Sequence, residues 1–177
     1  MDFKKFIVIP VYIAVLAAAF IVLDQKISPY MPIADNKGFG WVTFQAWAMY
    51  FMAGCTVKGG ARTFLGYALG VLSAILIIAL AGVVGSIGFN GFWAVPIAVL
   101  VMVIPMCSME RAHSLIDFVP AIFVSSAVYF AFTQIYPATT RTSMAITILV
   151  YCAIGMILGY VTIRIRAAYE KMVAKPV

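Results

Sequence analysis

The chain has 177 residues, of which 65% are apolar and only 10% charged, with a formal net charge of +6, and its mean hydropathy is +1.08. A soluble domain carries about 25% charged residues, so the composition excludes a water-soluble globule and points to helices whose solvent is lipid. The net charge does not indicate a nucleic-acid partner, because the cations sit at the ends of apolar segments, where they face anionic headgroups and set orientation.

Six spans are predicted in a single membrane domain, 1–177, giving an all-α polytopic helical bundle. The first, 6–23, follows Lys4 and Lys5 and is 18 residues long, enough to cross a bilayer. Its basic start and small residues resemble a secretory leader, but a run long enough to span is expected to be a retained first transmembrane helix. The prolines and glycines of "DQKISPYMPIADNKGFG" then mark a loop. The second span, 41–56, ends in "AGCTVKGG", where Gly59 and Gly60 are predicted to make the reversal, since glycine accepts positive φ. This span holds Tyr50 and Gln45, whose amide needs partners in lipid.

The third span, 63–85, carries "GYALG", in which Gly66 and Gly70 have the spacing that lets helix backbones approach closely. The loop "SIGFNGF" leads into the fourth span, 93–107, which contains Pro96 and Pro105. "SMERAHSLIDFVP" follows. If a helix begins near Ser108, then Glu110, His113 and Asp117 share one face at i+3 and i+4 spacing. Asp117 lies about a turn inside the apolar stretch, and an ionisable residue there is a functional-site candidate by default. Its expected partner is His113, the only histidine. The competing reading is a solvated turn at headgroup level. The fifth span, 114–134, carries Ser125, a hydroxyl of the kind that bonds back to its own helix or to a neighbour. The sixth, 143–163, repeats the small-residue spacing in "GMILG", at Gly155 and Gly159.

With the N-terminus inside, the inner side holds Lys4, Lys5, Lys58, Arg62, Arg111, Arg164, Arg166, Lys171 and Lys175, and the outer side Lys26, Lys37 and Arg141. That bias places both termini in the cytoplasm. The hairpins 2–3 and 4–5 read as a parallel duplication. At an offset of 52, Trp41 falls on Trp93, Ala46 on Ala98, Cys55 on Cys107 and Thr56 on Ser108. The first member of each pair is short, at 16 and 15 residues. Paired short or interrupted segments are a pointer to a transport site; the simpler alternative is that both spans cross normally, since glycine and proline are frequent in membrane helices. The three cysteines are far apart and show no metal-ligand spacing. Neither a metal nor a cofactor is expected. No nucleophile elbow, zinc-protease motif or phosphate loop is present, and an enzyme is not expected.

"WVTFQAWAMYFMAGCTVKGG" resembles the signature region of the YcdZ-like bacterial inner-membrane family of unknown function, DUF1097. The residues that carry the likeness are Trp41, Phe44, Tyr50, Phe51, Gly54, Lys58 and Gly59, with Phe118, Val119, Pro120 and Phe123 of "DFVPAIFVSSAVYFAF". A serine and a glycine of the family pattern are Asp117 and Ala121 here. The resemblance implies a multi-span inner-membrane protein and brings no substrate or mechanism.

The functional expectation is a channel or facilitator for a small neutral solute, urea-, amide- or ammonia-like. Glu110, His113 and Asp117 would line its mouth, and Gln45, Tyr50 and Ser125 are further pathway candidates. Gly66, Gly70, Gly155 and Gly159 are expected at helix contacts, within a protomer or in a homo-oligomer. The alternative is an accessory or scaffold subunit of a membrane complex.

Overall fold

The computed structural model describes residues 3–33, 38–89 and 91–174. In lipid every backbone N–H and C=O must be paired within the chain, and helices do this locally. The helices are α1 (Phe3–Phe6), α2 (Val8–Ile27), α3 (Gly40–Met52), α4 (Val57–Ser86), α5 (Gly91–Ser108), α6 (Val119–Ile135) and α7 (Arg141–Ala174). Among the described residues there is no strand. The six predicted spans correspond to α2 through α7. Four stretches are long and apolar enough to cross a membrane: Phe3–Tyr30, Val57–Ser86, Gly91–Arg111 and Arg141–Ala174.

The other two helices are short. α3 has 13 residues and α6 has 17, roughly 20 Å and 26 Å against a hydrocarbon layer of ~30 Å. The sequence reading placed the short spans at two and four. α5 instead runs for 18 residues with Pro96 and Pro105 inside it, as membrane helices tolerate. α6 is cut short because Pro120 sits in its first turn. That ring has no N–H to reach back to residue 116, and it clashes with the carbonyl there, so the helix starts at Val119, with the proline in its first turn. The short–long pattern of the proposed duplication therefore does not recur in the helix lengths. Two of its aligned pairs match, since Ala46 and Ala98 are fully buried and Trp41 and Trp93 are exposed; the other two do not, since Cys55 and Thr56 lie in the turn before α4 whereas Cys107 and Ser108 end α5.

The core is built from α3, α4, α6 and α7, with α4 packed on α6 and α3 on α7. Glycines set both approaches. A Cβ at Gly66 would lie 2.7 Å from the Ala121 Cβ, and one at Gly70 would collide with the Ile122 carbonyl and Ser125 Oγ. On the other pair, a Cβ at Gly155 would lie 2.6 Å from the Thr43 carbonyl oxygen, and one at Gly159 would lie 2.6 Å from the Tyr50 ring. α5 rests on α4 through a separate apolar cluster of Ile77, Ala98, Met106 and Ile122. α2 is the outermost helix. It is held where Tyr12 Oη donates to the Thr162 carbonyl at 2.9 Å, and where Tyr151 Oη donates to Asp24 Oδ1 at 2.6 Å. Between them Phe20 packs edge-on against Phe44, with ring centroids 5.6 Å apart.

The α3–α4 reversal is not made by Gly59 and Gly60, which lie inside α4. It is made by Gly54 at φ 95° and Cys55 at φ 59°. The Gly54 N–H donates to the Phe51 carbonyl at 3.1 Å and the Cys55 N–H to the Tyr50 carbonyl at 3.2 Å, which is a Schellman cap on α3. Thr56 then caps α4, its hydroxyl accepting from the Gly59 N–H at 2.9 Å. Gly59 and Gly60 are needed for a different reason: a Cβ on the first would strike the Ala53 carbonyl, and one on the second would sit 3.1 Å from the Tyr50 ring.

Tyr169 Oη donates to the Lys5 carbonyl at 2.8 Å, so the two outermost helical ends share one end of the bundle. The α3–α4 turn lies there too. Eight of the ten described Lys and Arg residues gather at this basic end: Lys4, Lys5, Lys58, Arg62, Arg111, Arg164, Arg166 and Lys171. Lys26 and Arg141 are at the other. Lys37 and Lys175 lie outside the described residues.

Candidate functional site

At the basic end the expected polar stripe is not formed. Met109–Arg111 is a single 3-10 turn, and residues 112–118 are not helical. Glu110 and His113 are exposed, and the His113 Nδ1 accepts from the Leu115 N–H at 3.3 Å. Asp117 is paired with Arg62 rather than with His113. Arg62 Nε and a terminal nitrogen both lie 2.8 Å from Asp117 Oδ1, with the side chains 28% and 23% exposed. The guanidinium also stands 5.4 Å from the centroid of the Phe118 ring, a cation–π geometry. The ion pair ties the first turns of α4 to the residue just ahead of α6. Helical spacing cannot bring His113 and Asp117 together, because Pro120 keeps the chain before α6 out of the helix.

Inside the bundle most hydroxyls are satisfied by nearby backbone. Ser125, fully buried, donates to the Ile122 carbonyl at 3.1 Å. Ser126 donates to the Ile122 carbonyl at 2.9 Å and, across to α4, to the Gly70 carbonyl at 2.8 Å. Thr43 bridges α3 and α7 by donating to the Tyr151 carbonyl at 3.0 Å. Tyr50 is buried, its ring wedged between Gly60 and Gly159. Gln45 is exposed on the outer face of α3 and does not enter the interior.

Three buried donors stand apart. Trp47 Nε1, Tyr67 Oη and Tyr129 Oη have no hydrogen-bond partner among the described residues. They come from α3, α4 and α6, three of the four core helices. Tyr67 and Tyr129 are 0% exposed and Trp47 is 4% exposed. A buried donor left unpaired costs about 1–3 kcal/mol, so each of the three would be stabilised by an accepting water or small polar molecule. Among the described residues no charged side chain is buried. The interior therefore suits a neutral guest better than an ion.

Two grooves flank this core. One, of about 550 Å³, is apolar and opens outward between α4 and α7, next to Tyr50. The other, of about 200 Å³, lies between α4, α5 and α6.

The sequence reading treated Arg62 as a headgroup anchor and passed over Trp47, Thr43 and Asp24. Nothing local in the sequence links Arg62 to a carboxylate 55 positions away. Trp47 reads as an apolar residue until its ring is found in the core with its N–H unpaired. Tyr67 and Tyr129 lie within the third and fifth predicted spans, where nothing local in the sequence shows that their hydroxyls go unpaired. A family model described as a protein of unknown function (DUF1097) matches residues 7–166. No curated protein and no solved structure matches the chain.

Proposed function

The chain belongs to the DUF1097 family, whose function is unknown, and from that premise we propose that this multi-helix membrane protein is a facilitator for a small neutral polar solute in a bacterial inner membrane. The observation that carries the reading is the set of unpaired donors at Trp47, Tyr67 and Tyr129 in an interior without buried charge. A urea-, amide- or ammonia-like solute has the acceptor those donors need, and it enters without the cost of desolvating an ion. The excess of Lys and Arg at one end supports a cytoplasmic location for that end and for both termini. On this reading the Arg62–Asp117 pair stands at the cytoplasmic ends of α4 and α6, where relative movement of the two helices would open or close the interior.

The test is uptake of urea, acetamide and ammonia into proteoliposomes, with inorganic ions as controls. Neutral solutes are expected to enter faster than into empty vesicles. Removing both phenol groups in the Tyr67→Phe/Tyr129→Phe variant is expected to lower that flux roughly fivefold, the kinetic equivalent of about one hydrogen bond. Uptake equal to that of empty vesicles for every solute overturns the proposal and leaves the accessory-subunit reading.

A further inference from the structure

We infer that the open apolar groove between α4 and α7 is a binding site for an anionic phospholipid, which lays an acyl chain in the groove and its phosphate between Lys58 and Arg164. The groove of about 550 Å³ is lined by Tyr50, Val57, Gly60, Phe64, Met156 and Tyr160, among others. Its volume falls within the ~300–1,000 Å³ of ligand pockets. Gly60 helps to shape it, since the missing Cβ is what lets the Tyr50 ring lie against α4. An apolar groove on a membrane helix bundle takes up a lipid chain of any kind. The choice of headgroup is made at the rim.

That rim is positively charged. Lys58 follows the lining residue Val57 and is exposed. Arg164 is exposed and stands with its guanidinium 5.9 Å from the centroid of the Tyr160 ring, which lines the groove. Among the described residues neither cation has a carboxylate partner. Among the described residues the carboxylates at this end are otherwise engaged or distant: Asp117 by Arg62, and Glu170 by Arg166 at 2.8 Å. Glu110 sits beside Arg111 on the α5 side. α4 also begins at Val57, so the positive end of its dipole points the same way. Two uncommitted cations over an apolar slot complement a phosphodiester attached to a hydrocarbon chain, as basic pockets between membrane helices do. A zwitterionic headgroup brings its own cation and loses that advantage. The inference is independent of solute transport.

The experiment is thermal unfolding of delipidated full-length protein in an uncharged detergent, with added phosphatidylglycerol or phosphatidylcholine of identical chains. Phosphatidylglycerol is expected to raise Tm by about 5 °C more than phosphatidylcholine. The Lys58→Gln/Arg164→Gln variant, altered only at exposed positions, is expected to respond equally to both lipids. Ala61→Phe, which narrows the groove from its exposed rim, is expected to weaken both responses. Native mass spectrometry of the purified protein reads the same preference as retained lipid. Equal shifts from the two lipids in the wild type overturn the inference. So does a preference that survives the double substitution, or a shift of the same size from inorganic phosphate alone. Disulfide-linked dimers of an Ile157→Cys variant in membranes would mean that a second copy fills the groove, and would also overturn it.

Discussion

Asp117 shows what a single residue reveals in sequence and what it conceals. A carboxylate placed at the start of an apolar span must be satisfied, so its singularity was legible. Its partner was not, because the ion pair joins two helices far apart in sequence and depends on where Pro120 starts α6. The exposures of 28% and 23% put the pair between a solvated ion pair and a buried one. Two N–H groups on one carboxylate oxygen, with an aromatic ring beside the guanidinium, support a value of about 2 kcal/mol, above the ~0–1 kcal/mol of a surface pair. Arg62→Ala is expected to destabilise the protein by that amount. Arg62→Lys recovers only part of it, since an ammonium has no planar fork and stacks poorly. A cycle with Asp117→Asn, read by unfolding in detergent, should show coupling of at least ~1 kcal/mol; additivity within ~0.3 kcal/mol would refute the interaction. His113→Ala, at an exposed position outside the pair, is expected to change stability by less than ~0.5 kcal/mol.

Helix–helix contacts follow from small residues, and here the sequence was informative up to a point. The spacing of Gly66 with Gly70 and of Gly155 with Gly159 said that something approaches closely. It did not say what, since a missing side chain carries no address. The approach is α6 for the first pair and α3 for the second. The prolines were ambiguous for a related reason: Pro96 and Pro105 read either as interruptions or as prolines that a membrane helix accommodates, and α5 keeps both, while Pro120 defines an end. What separates the two cases is position relative to the preceding turn, which residue type alone does not give. Two glycines of one helix provide a matched test. Gly70 has the Ile122 carbonyl against its Cα, whereas Gly82 has nothing within 4 Å of an added Cβ. Gly70→Ala is expected to cost about 1–3 kcal/mol by overpacking. Gly82→Ala is expected to add about 0.5–1 kcal/mol, because alanine loses less chain entropy in a helix. Unfolding midpoints of the two variants that move in the same direction would contradict this account of the α4–α6 contact.

For the molecule as a whole, an even number of apolar segments and a one-sided distribution of cations were enough to place both chain ends together, and the Tyr169–Lys5 contact matches that arrangement. The interior was less legible, because a Tyr or Trp within a span shows its donor but not whether that donor finds a partner. The orientation is tested with two fusions. A fluorescent reporter that folds only in the cytoplasm is expected to glow when attached after Ala174. A phosphatase active only outside is expected to work when placed after Met31, at the other end of the bundle. Signals that assign both sites to one compartment would rule out the six-span path. α3 has a further consequence. It lies partly on the perimeter, with Trp41 and Met52 exposed at its two ends, yet it reaches roughly 20 Å through a layer of ~30 Å. Where α3 crosses the bilayer, the layer beside it is expected to thin, at a cost of fractions of a kcal/mol for each Å of mismatch. Lipids with shorter chains relieve that mismatch, so the embedded protein is expected to unfold at a higher temperature in a shorter-chain lipid than in a longer-chain one.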